Sequence, residues 1–251
     1  MNARRSPPLL AMLCLLLCAS ARAAETEVTE LTLSVKGGTS SALLLRPAPA
    51  RALLVLGHGA NMNMRSPFLA SLSAALARRG IATLRFNFPY AEAGKSQPDP
   101  PPVLQATVRA AVAEGARQRG TLPLLLGGKS LSSLVVVNVL AGGLEPVVGA
   151  VMLGFPLHAP SRPSARNANG LDEVRVPMLF VQGTRDPLAD LSLMRGLVER
   201  IGERARLRVV QGADHQFELA PDDARKPEQV IEEIAGAIAD FAATLAASGG
   251  G

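Results

Sequence analysis

The stretch "PLLLGGKSLSSLVV", from Pro123 to Val136, can be interpreted in two ways. An apolar run typical of a buried strand leads into two glycines, and a segment of small residues typical of a helix follows. Gly128-Lys129-Ser130 resembles the end of a phosphate-binding loop, which would make Lys129 the functional residue. The segment from Gly128 to Ser132 also resembles a nucleophile elbow, a tight strand-to-helix turn that would present Ser130. The rest of the chain decides between them.

A phosphate-binding loop requires the pattern G-x-x-x-x-G-K-[ST], because its first glycine allows the backbone N–H groups to turn toward the phosphates. Pro123 occupies that first position, and proline has no N–H to donate. A second Gly-Lys-Ser triplet, Gly94 to Ser96, has Pro89 at the same position and no helix predicted directly after it. The sequence therefore excludes a nucleotide-binding loop at both places.

A nucleophile elbow needs small residues two positions before and two positions after its serine, because the strand and the helix crowd together there. Gly128 meets the first requirement, and Ser132 meets the second approximately. The motif alone is weak, since a glycine followed by Ser130 acting as a helix cap explains the same residues. An elbow is supported only if an acid and a base follow later in the chain.

Both partners follow in the required order of serine, acid and histidine, each just after a predicted strand. Asp186 lies in "PMLFVQGTRDPL", and His215 lies in "LRVVQGADHQF". Each segment is an apolar run that ends in Gln-Gly and continues as a short polar loop. We therefore predict a catalytic triad of Ser130, Asp186 and His215. In this interpretation Lys129 is a solvent-facing residue without a role.

Other acids and histidines remain as alternatives. Asp190 could supply the acid, but it is expected inside the next helix, where it would stabilise the first turn. Asp214 precedes His215 and is expected to bond to its own loop. His58 comes too early in the chain to be the base, so it either shapes the turn of an oxyanion hole or is structural. His158 either lines a pocket or, as we favour, bonds loop backbone.

The first 23 residues have the composition of a secretory signal peptide. "MNARR" supplies positive charge, "LLAMLCLLLCASA" is apolar, and Ala21-Arg22-Ala23 is a small-x-small cleavage signal. The apolar run is shorter than the roughly 20 residues of a membrane span. Cleavage after Ala23 would make the protein periplasmic or secreted. Lipoprotein processing at Cys18 is the weaker alternative, because Leu17 stands where a small residue is expected.

Removing this segment changes the bulk properties of the chain. Both cysteines, Cys14 and Cys18, would be lost, so the mature chain could form no disulfide. The segment holds three of the 26 basic residues and none of the 21 acidic ones, so the formal charge falls from +5 to about +2. With no tryptophan, one tyrosine and no basic stripe, nucleic acid is not an expected partner. Three separated histidines also make a zinc site improbable, and we predict no cofactor.

The remaining chain, residues 24–251, is expected to form one domain around a single large core. It starts with a predicted β-hairpin joined at Gly37-Gly38, and then strands alternate with helices. This succession predicts a three-layer α/β fold with a mostly parallel sheet. Residues 89–102 are expected to form a proline-rich loop. Residues 156–175 are polar and too few to form a sizeable cap domain.

Six segments together resemble the α/β-hydrolase superfamily, and within it the small dienelactone-hydrolase-like branch. They are "VLGHGAN", "FNFPYAEAGK", "GGKSLSS", "LGFPLHAP", "LFVQGTRDPL" and "GADHQF", and the resemblance extends from about Leu53 to the end of the chain. It implies an eight-stranded sheet and the same triad. It further implies that the backbone N–H groups of Ala60 and Leu131 form an oxyanion hole, beside which His58, Asn61 and His158 are candidate pocket residues. Members of this branch usually have glycine where this chain has Ser132.

The expected activity is hydrolysis of carboxylic esters of small, accessible substrates through an acyl-enzyme on Ser130. Thioesters, lactones and amides remain open, because pocket loops rather than the fold decide the substrate. The alternative from another class is a non-catalytic binding or scaffold protein on the same fold. The sequence gives no indication of the oligomeric state.

Overall fold

The computed structural model describes residues 26–35 and 38–248. Its centre is an eight-stranded sheet in the order β1-β2-β4-β3-β5-β6-β7-β8. The strands are β1 (Thr26–Val35), β2 (Gly38–Pro47), β3 (Ala52–Gly57), β4 (Ile81–Phe86), β5 (Leu124–Lys129), β6 (Val147–Leu153), β7 (Met178–Gly183) and β8 (Ala205–Val210). β2 is antiparallel to both β1 and β4, and every other neighbouring pair is parallel. The predicted mostly parallel α/β sheet is confirmed.

Helices cover both faces of the sheet. The helices are α1 (Pro67–Ala77), α2 (Pro89–Glu92), α3 (Pro101–Gln118), α4 (Leu131–Ala141), α5 (Leu191–Ile201) and α6 (Pro227–Ser248). α1 and α6 contribute to the apolar core on one face, and α3, α4 and α5 contribute to the core on the other. The result is the expected three-layer arrangement.

The central strands are apolar at consecutive positions because each strand is buried on both faces. In β3, Leu53 and Val55 belong to the core under α3 and α4, while Leu54 and Leu56 belong to the core under α1 and α6. Side chains alternate between the faces of a strand, so a continuous apolar run fills both cores at once. The carboxyl ends of these parallel strands therefore carry the loops in which polar groups can meet.

The predicted proline-rich loop over residues 89–102 contains more structure than expected. Pro89–Glu92 form the short helix α2, and Pro101 and Pro102 begin α3. Proline favours the first turn of a helix, because its fixed φ is helical and its missing N–H is not needed there. Prolines that suggested a loop thus start helices instead.

Residues 156–175 contain two short 3₁₀ turns, Arg166–Ala168 and Leu171–Glu173. In the part of the chain that the structure describes, this segment forms no cap domain, as expected. Among these same residues no helix is both long and apolar enough to cross a membrane. The predicted signal peptide and Gly37 of the predicted hairpin turn lie outside the described residues.

Candidate active site

The backbone at Ser130 forms the sharp turn that an elbow requires. Ser130 lies between β5 and α4 with φ 51° and ψ −113°, a conformation that L-residues rarely adopt. Its N–H donates to the Leu153 carbonyl at the end of β6, at 2.9 Å. A side chain at Gly128 would overlap the main chain of Ser132, so the helix can turn back over the strand only because Gly128 has none. The strain at Ser130 is thus held by its surroundings.

Ser130, His215 and Asp186 form one hydrogen-bonded chain. His215 Nε2 lies 2.9 Å from Ser130 Oγ, and His215 Nδ1 lies 2.7 Å from Asp186 Oδ2. The Asp186 side chain is fully buried, and that of His215 is 13% exposed. A buried carboxylate on Nδ1 fixes the histidine tautomer that leaves Nε2 free to accept the serine proton. The structure therefore brings together the three residues that the sequence selected.

Asp186 is oriented by further donors at the end of β7. Its Oδ1 accepts from the Leu188 N–H at 2.8 Å, and its Oδ2 accepts from the Gln182 side-chain amide as well as from His215. A carboxylate with several donors has one fixed orientation. The carboxylate is therefore preorganised toward the histidine.

Asp190 and Asp214 have the structural roles that made them weaker candidates for the acid. Asp190 is the N-cap of α5, and its carboxylate accepts from the Leu193 N–H at 2.9 Å. It therefore precedes the helix, whereas the sequence placed it inside. Asp214 Oδ1 accepts from the N–H groups of Gln216 and Glu218, as expected of a loop hydrogen-bonder.

The two remaining histidines both bond to loop backbone. His158 Nδ1 donates to the Ala159 carbonyl at 2.9 Å, and its Nε2 accepts from the Asp190 N–H at 2.8 Å. His58 is fully buried, with Nε2 accepting from the Phe88 N–H at 3.1 Å and Nδ1 2.8 Å from the Gly59 carbonyl. Burial lowers the pKa of His58, against the raising effect of its bond to Gly59. Buried to this extent, His58 does not line an open pocket.

His58 instead orients the turn expected to carry the oxyanion hole. The Gly59 carbonyl that it contacts also accepts from the Tyr90 hydroxyl at 3.4 Å. The Gly59 carbonyl and the Ala60 N–H belong to one planar trans peptide and point in opposite directions. Holding the carbonyl therefore fixes the direction of the Ala60 N–H. Asn61, next in the chain, is exposed and has φ 56°.

Leu131 begins helix α4, so its N–H has no intrahelical acceptor. In the part of the chain that the structure describes, neither this N–H nor that of Ala60 donates to a backbone carbonyl. A Cβ built on Gly59 would lie 3.5 Å from the Ser130 Cβ, so the turn of β3 and the elbow are adjacent. This placement is compatible with the two N–H groups serving one oxyanion, which stays a prediction.

Ser132, which replaces the usual glycine, is accommodated without loss of the elbow. It is fully buried, and its hydroxyl donates to the main-chain carbonyl of His58. The space for its side chain exists because Gly57 has none: a Cβ there would lie 2.6 Å from Ser132 Oγ. The extra hydroxyl therefore joins α4 to the β3 turn.

The burial of Lys129 contradicts the prediction made for it. The sequence interpretation made it a solvent-facing residue without a role, but it is fully buried. Its ammonium donates to the main-chain carbonyl of His215 at 2.6 Å. Lysine is almost never fully buried unless it is paired. The error arose because a polar residue at a strand end is usually solvated, and only the fold brings the β8 loop within reach of β5.

A serine on a strained strand-to-helix turn, followed in the chain by an aspartate and a histidine at later strand ends, defines the class of α/β serine hydrolases. The chain has the fold of that class. It belongs to the family described as "Alpha/beta hydrolase domain", whose model matches residues 50–243. The membership expected from the six sequence segments is therefore confirmed.

Solved structures share this fold at low sequence identity. A dienelactone hydrolase from Anabaena variabilis is 18% identical, with a TM-score of 0.69 over 86% of this chain and 96% of that one. A serine hydrolase without a lid from Xanthomonas campestris is 21% identical, with a TM-score of 0.66 over 86% and 96%. Est1E from Butyrivibrio proteoclasticus is 16% identical, with a TM-score of 0.66 over 87% and 99%. The first of these agrees with the branch that the sequence resembled.

Sequence reasoning missed the roles of Lys129 and Gln182 beside the triad, and it did not identify the partner of the Ser132 hydroxyl. One signal was present for Lys129 and Gln182, because each is a polar residue at or near the end of an otherwise apolar strand. In a strand buried on both faces, the polar group of a long side chain needs a hydrogen-bond partner. The partners themselves lie 86 residues away for Lys129 and four residues away for Gln182, so only the second pair was within reach of local reasoning.

Proposed function

We propose that the protein is an exported serine hydrolase that cleaves carboxylic esters through an acyl-enzyme on Ser130. The observation that carries this proposal is the hydrogen-bonded chain from Ser130 Oγ through His215 to the buried Asp186. Side chains in this order, on an elbow with φ 51°, supply a nucleophile, a base and an orienting acid.

In the acylation step, Ser130 Oγ attacks the ester carbonyl while His215 Nε2 takes the hydroxyl proton. The Asp186 carboxylate stabilises the imidazolium that forms, without taking the proton itself. The tetrahedral intermediate then collapses, its carbon–oxygen bond to the alcohol breaks, and His215 returns the proton to the departing alkoxide. The acyl group remains on Ser130.

In the deacylation step, water replaces the alcohol. His215 takes a proton from water as it attacks the acyl carbonyl, and then returns a proton to Ser130 as the acid leaves. In both steps the developing oxyanion is placed to accept from the N–H groups of Ala60 and Leu131. Each such donor contributes about 10²–10³ in rate in hydrolases of this type.

Small carboxylic esters are the substrate class that we propose. The similar structures include proteins named as esterases, and ferulic acid is bound in one Est1E structure. The segment of residues 156–175 forms no cap domain in the described chain, which favours open access to Ser130. Thioesters and lactones present the same electrophilic carbonyl and are the next substrates to test.

The test is covalent labelling of the purified protein by a fluorophosphonate probe, followed by a panel of nitrophenyl esters. We expect labelling at Ser130 and ester turnover, with both lost in Ser130→Ala. Ser96→Ala is a matched control, because Ser96 ends the other Gly-Lys-Ser triplet and is exposed. A folded protein that is not labelled at Ser130 and hydrolyses none of the esters would contradict the proposal and favour the non-catalytic scaffold.

Export is proposed from the charged and apolar pattern of residues 1–23. Its test is expression of the full chain followed by cell fractionation and N-terminal sequencing. We expect protein beginning at Ala24 in the periplasm or medium. Protein that retains Met1 and stays in the cytosol would contradict export without affecting the proposed chemistry.

A further inference from the structure

Lys129 connects the nucleophile elbow to the loop that carries the base. It is the residue immediately before Ser130, and its ammonium donates to the His215 main-chain carbonyl at 2.6 Å. The side chain is fully buried, although the hydrogen bond is made to backbone 86 residues further along the chain. The two residues whose side chains must meet for catalysis are thus also joined by a second contact.

A glycine at the end of the neighbouring strand β6 leaves space for the Lys129 side chain. Lys129 ends β5, His215 follows β8, and the side chain passes over the end of β6 at Gly154. A Cβ on Gly154 would lie 3.2 Å from Lys129 Nζ, 3.3 Å from the His215 carbonyl oxygen and 3.5 Å from His215 Nδ1. Gly154 also has φ +58°, which disfavours any other residue. The chain therefore leaves this passage open for the lysine and the base.

Phe217, within the loop after β8, packs that loop against α1 and against Lys129. The Phe217 ring stacks on Phe68 of α1 with a centroid distance of 5.4 Å, and the Lys129 ammonium lies 5.5 Å from the same ring. Phe217 has φ 63°, a rare conformation for a bulky residue. Ala213 and Leu219 pair across the base of the loop. The lysine thus completes the contacts that confine His215.

These contacts close a ring: from Lys129 along the backbone to Ser130, through Ser130 Oγ to the His215 imidazole, and from the His215 carbonyl back to Lys129 Nζ. In a closed ring, a displacement of the base loop stretches both hydrogen bonds together. We propose that Lys129 is a positioning residue, whose buried ammonium holds the His215 loop in register with Ser130 for acyl transfer. This inference rests on the proposed function for its effect on rate, but not for its effect on the loop.

The charges around the ammonium match this role. The charged and titratable groups that act on it are Asp186 after β7 and Asp214 after β8, with His215 in direct contact. Burial lowers the pKa of Lys129 to about 8, and both carboxylates oppose that shift. A methionine of similar length would fill the same volume without the desolvation cost of a charge. The ammonium is therefore expected to contribute to catalysis rather than to stability.

The experiment compares the wild-type full chain with Lys129→Met and Lys129→Gln. The first removes the donor and the charge, and the second ends one atom short of the ammonium position and is uncharged. We expect kcat for a nitrophenyl ester to fall roughly 10–100-fold in both, because a small misplacement of a catalytic group costs about that much. KM should stay within about twofold, and fluorophosphonate labelling of Ser130 should slow by the same factor as kcat.

Lys95→Met is the matched control, because Lys95 occupies the same place in the other Gly-Lys-Ser triplet and is exposed. It should leave kcat, KM and labelling unchanged. The neutral amine is a weaker donor to the His215 carbonyl than the ammonium, so the wild-type kcat is also expected to decline above about pH 8, and this decline should be absent from Lys129→Met. If the methionine variant does not fold, the glutamine variant and the wild-type pH profile decide the question.

Hydrogen–deuterium exchange of residues 213–219 measures the loop without any reaction. We expect faster exchange in Lys129→Met than in the wild type, and no change in Lys95→Met. Unchanged kcat, labelling and exchange in a folded Lys129→Met protein would overturn the inference. A wild type that is not labelled at all would contradict the proposed function instead, while the exchange comparison would still test the lysine.

Discussion

The two sides of the nucleophile elbow are held by different chemistry. Toward β3, the Ser132 hydroxyl donates to the His58 carbonyl, and His58 in turn contacts the carbonyl of Gly59. Toward β6 and β8, the Lys129 ammonium donates to the His215 carbonyl beside the Asp186 carboxylate. The β3 side is thus joined by neutral groups and the β8 side by a buried cation. Both joining residues flank Ser130 within two positions.

This difference matches what each side would have to do in the proposed reaction. In that reaction, the N–H groups near the β3 turn would meet a developing negative charge, and such groups act best when their positions are fixed beforehand. The imidazole on the β8 side would gain and lose a proton, so its surroundings would have to tolerate a change of charge. We therefore expect substitutions on the β3 side to lower stability with little dependence on pH. Substitutions on the β8 side should change turnover and make both turnover and stability depend on pH differently from the wild type.

The largest expected effect is on the charged side, at Asp186. In Asp186→Asn, the side-chain NH₂ group can donate to His215 Nδ1. This favours the tautomer protonated at Nε2, which cannot accept the proton of Ser130. We expect kcat to fall by about 10⁴-fold, as removal of the acid does in other triads. The measurement is kcat for a nitrophenyl ester, with circular dichroism to confirm folding.

Asp190→Asn is the control for this change, because asparagine caps a helix about as well as aspartate. It should leave kcat and stability nearly unchanged. Full activity in Asp186→Asn together with loss of activity in Asp190→Asn would show that the other carboxylate is the acid.

The next effect concerns the pH dependence of stability on the same side. The pKa of Lys129 is about 8 when folded and near 10.5 when unfolded. Between these values the unfolded state binds more protons, so the free energy of unfolding rises with pH. Relative to Lys129→Met, the wild type should gain about 2–3 kcal/mol between pH 7 and pH 10. Urea denaturation at both pH values measures this difference.

Other groups that titrate in this range are common to the wild type and Lys129→Met, so they cancel in the comparison. Lys95→Met serves as the control for removal of a lysine from the surface. A difference in free energy of unfolding between the two proteins that stays constant from pH 7 to pH 10 would contradict the lowered pKa of Lys129. Turnover measurements would still test its positioning role.

On the neutral side, a double-mutant cycle tests the contact between Gly57 and Ser132. A Cβ at Gly57 would lie 2.6 Å from Ser132 Oγ and 2.8 Å from Ser132 Cβ. Gly57→Ala should therefore lower the free energy of unfolding by about 1–3 kcal/mol through overpacking. In the Ser132→Gly background the same substitution should cost less, with a coupling of about 1 kcal/mol. Equal costs in the two backgrounds would show that Ser132 does not occupy this space.

The sequence predicted those residues of the site whose positions follow from their order in the chain and from the ends of strands. Ser130, Asp186 and His215 each follow an apolar run, and a parallel sheet brings such loops to one edge, so their meeting follows from pattern and fold class. Likewise the continuous apolar runs predicted the doubly covered central strands. These inferences needed no knowledge of how individual side chains pack.

The roles of Lys129 and Ser132 could not be predicted in this way. Their partners are the main-chain carbonyls of His215 and His58. Because every residue has such a carbonyl, the sequence does not reveal which one a side chain will bond to. The outcome depended on the glycines beside them, Gly154 and Gly57, which leave space that a pattern does not reveal. The prediction of a loop over residues 89–102 was incomplete for a related reason, because proline favours both loops and helix starts.

The smallest expected effect is that of the Ser132 hydroxyl itself. Ser132→Ala removes one donor and leaves the buried His58 carbonyl without it, which should lower the free energy of unfolding by about 1 kcal/mol. Turnover should fall only a few-fold, and the ratio to wild type should not change with pH, since no charge is involved. Ser73→Ala is a matched control, because the Ser73 hydroxyl is also buried but has no hydrogen-bond partner among the described residues. If Ser132→Ala changed the pH profile as Lys129→Met is expected to, the two sides of the elbow would form one coupled network rather than two.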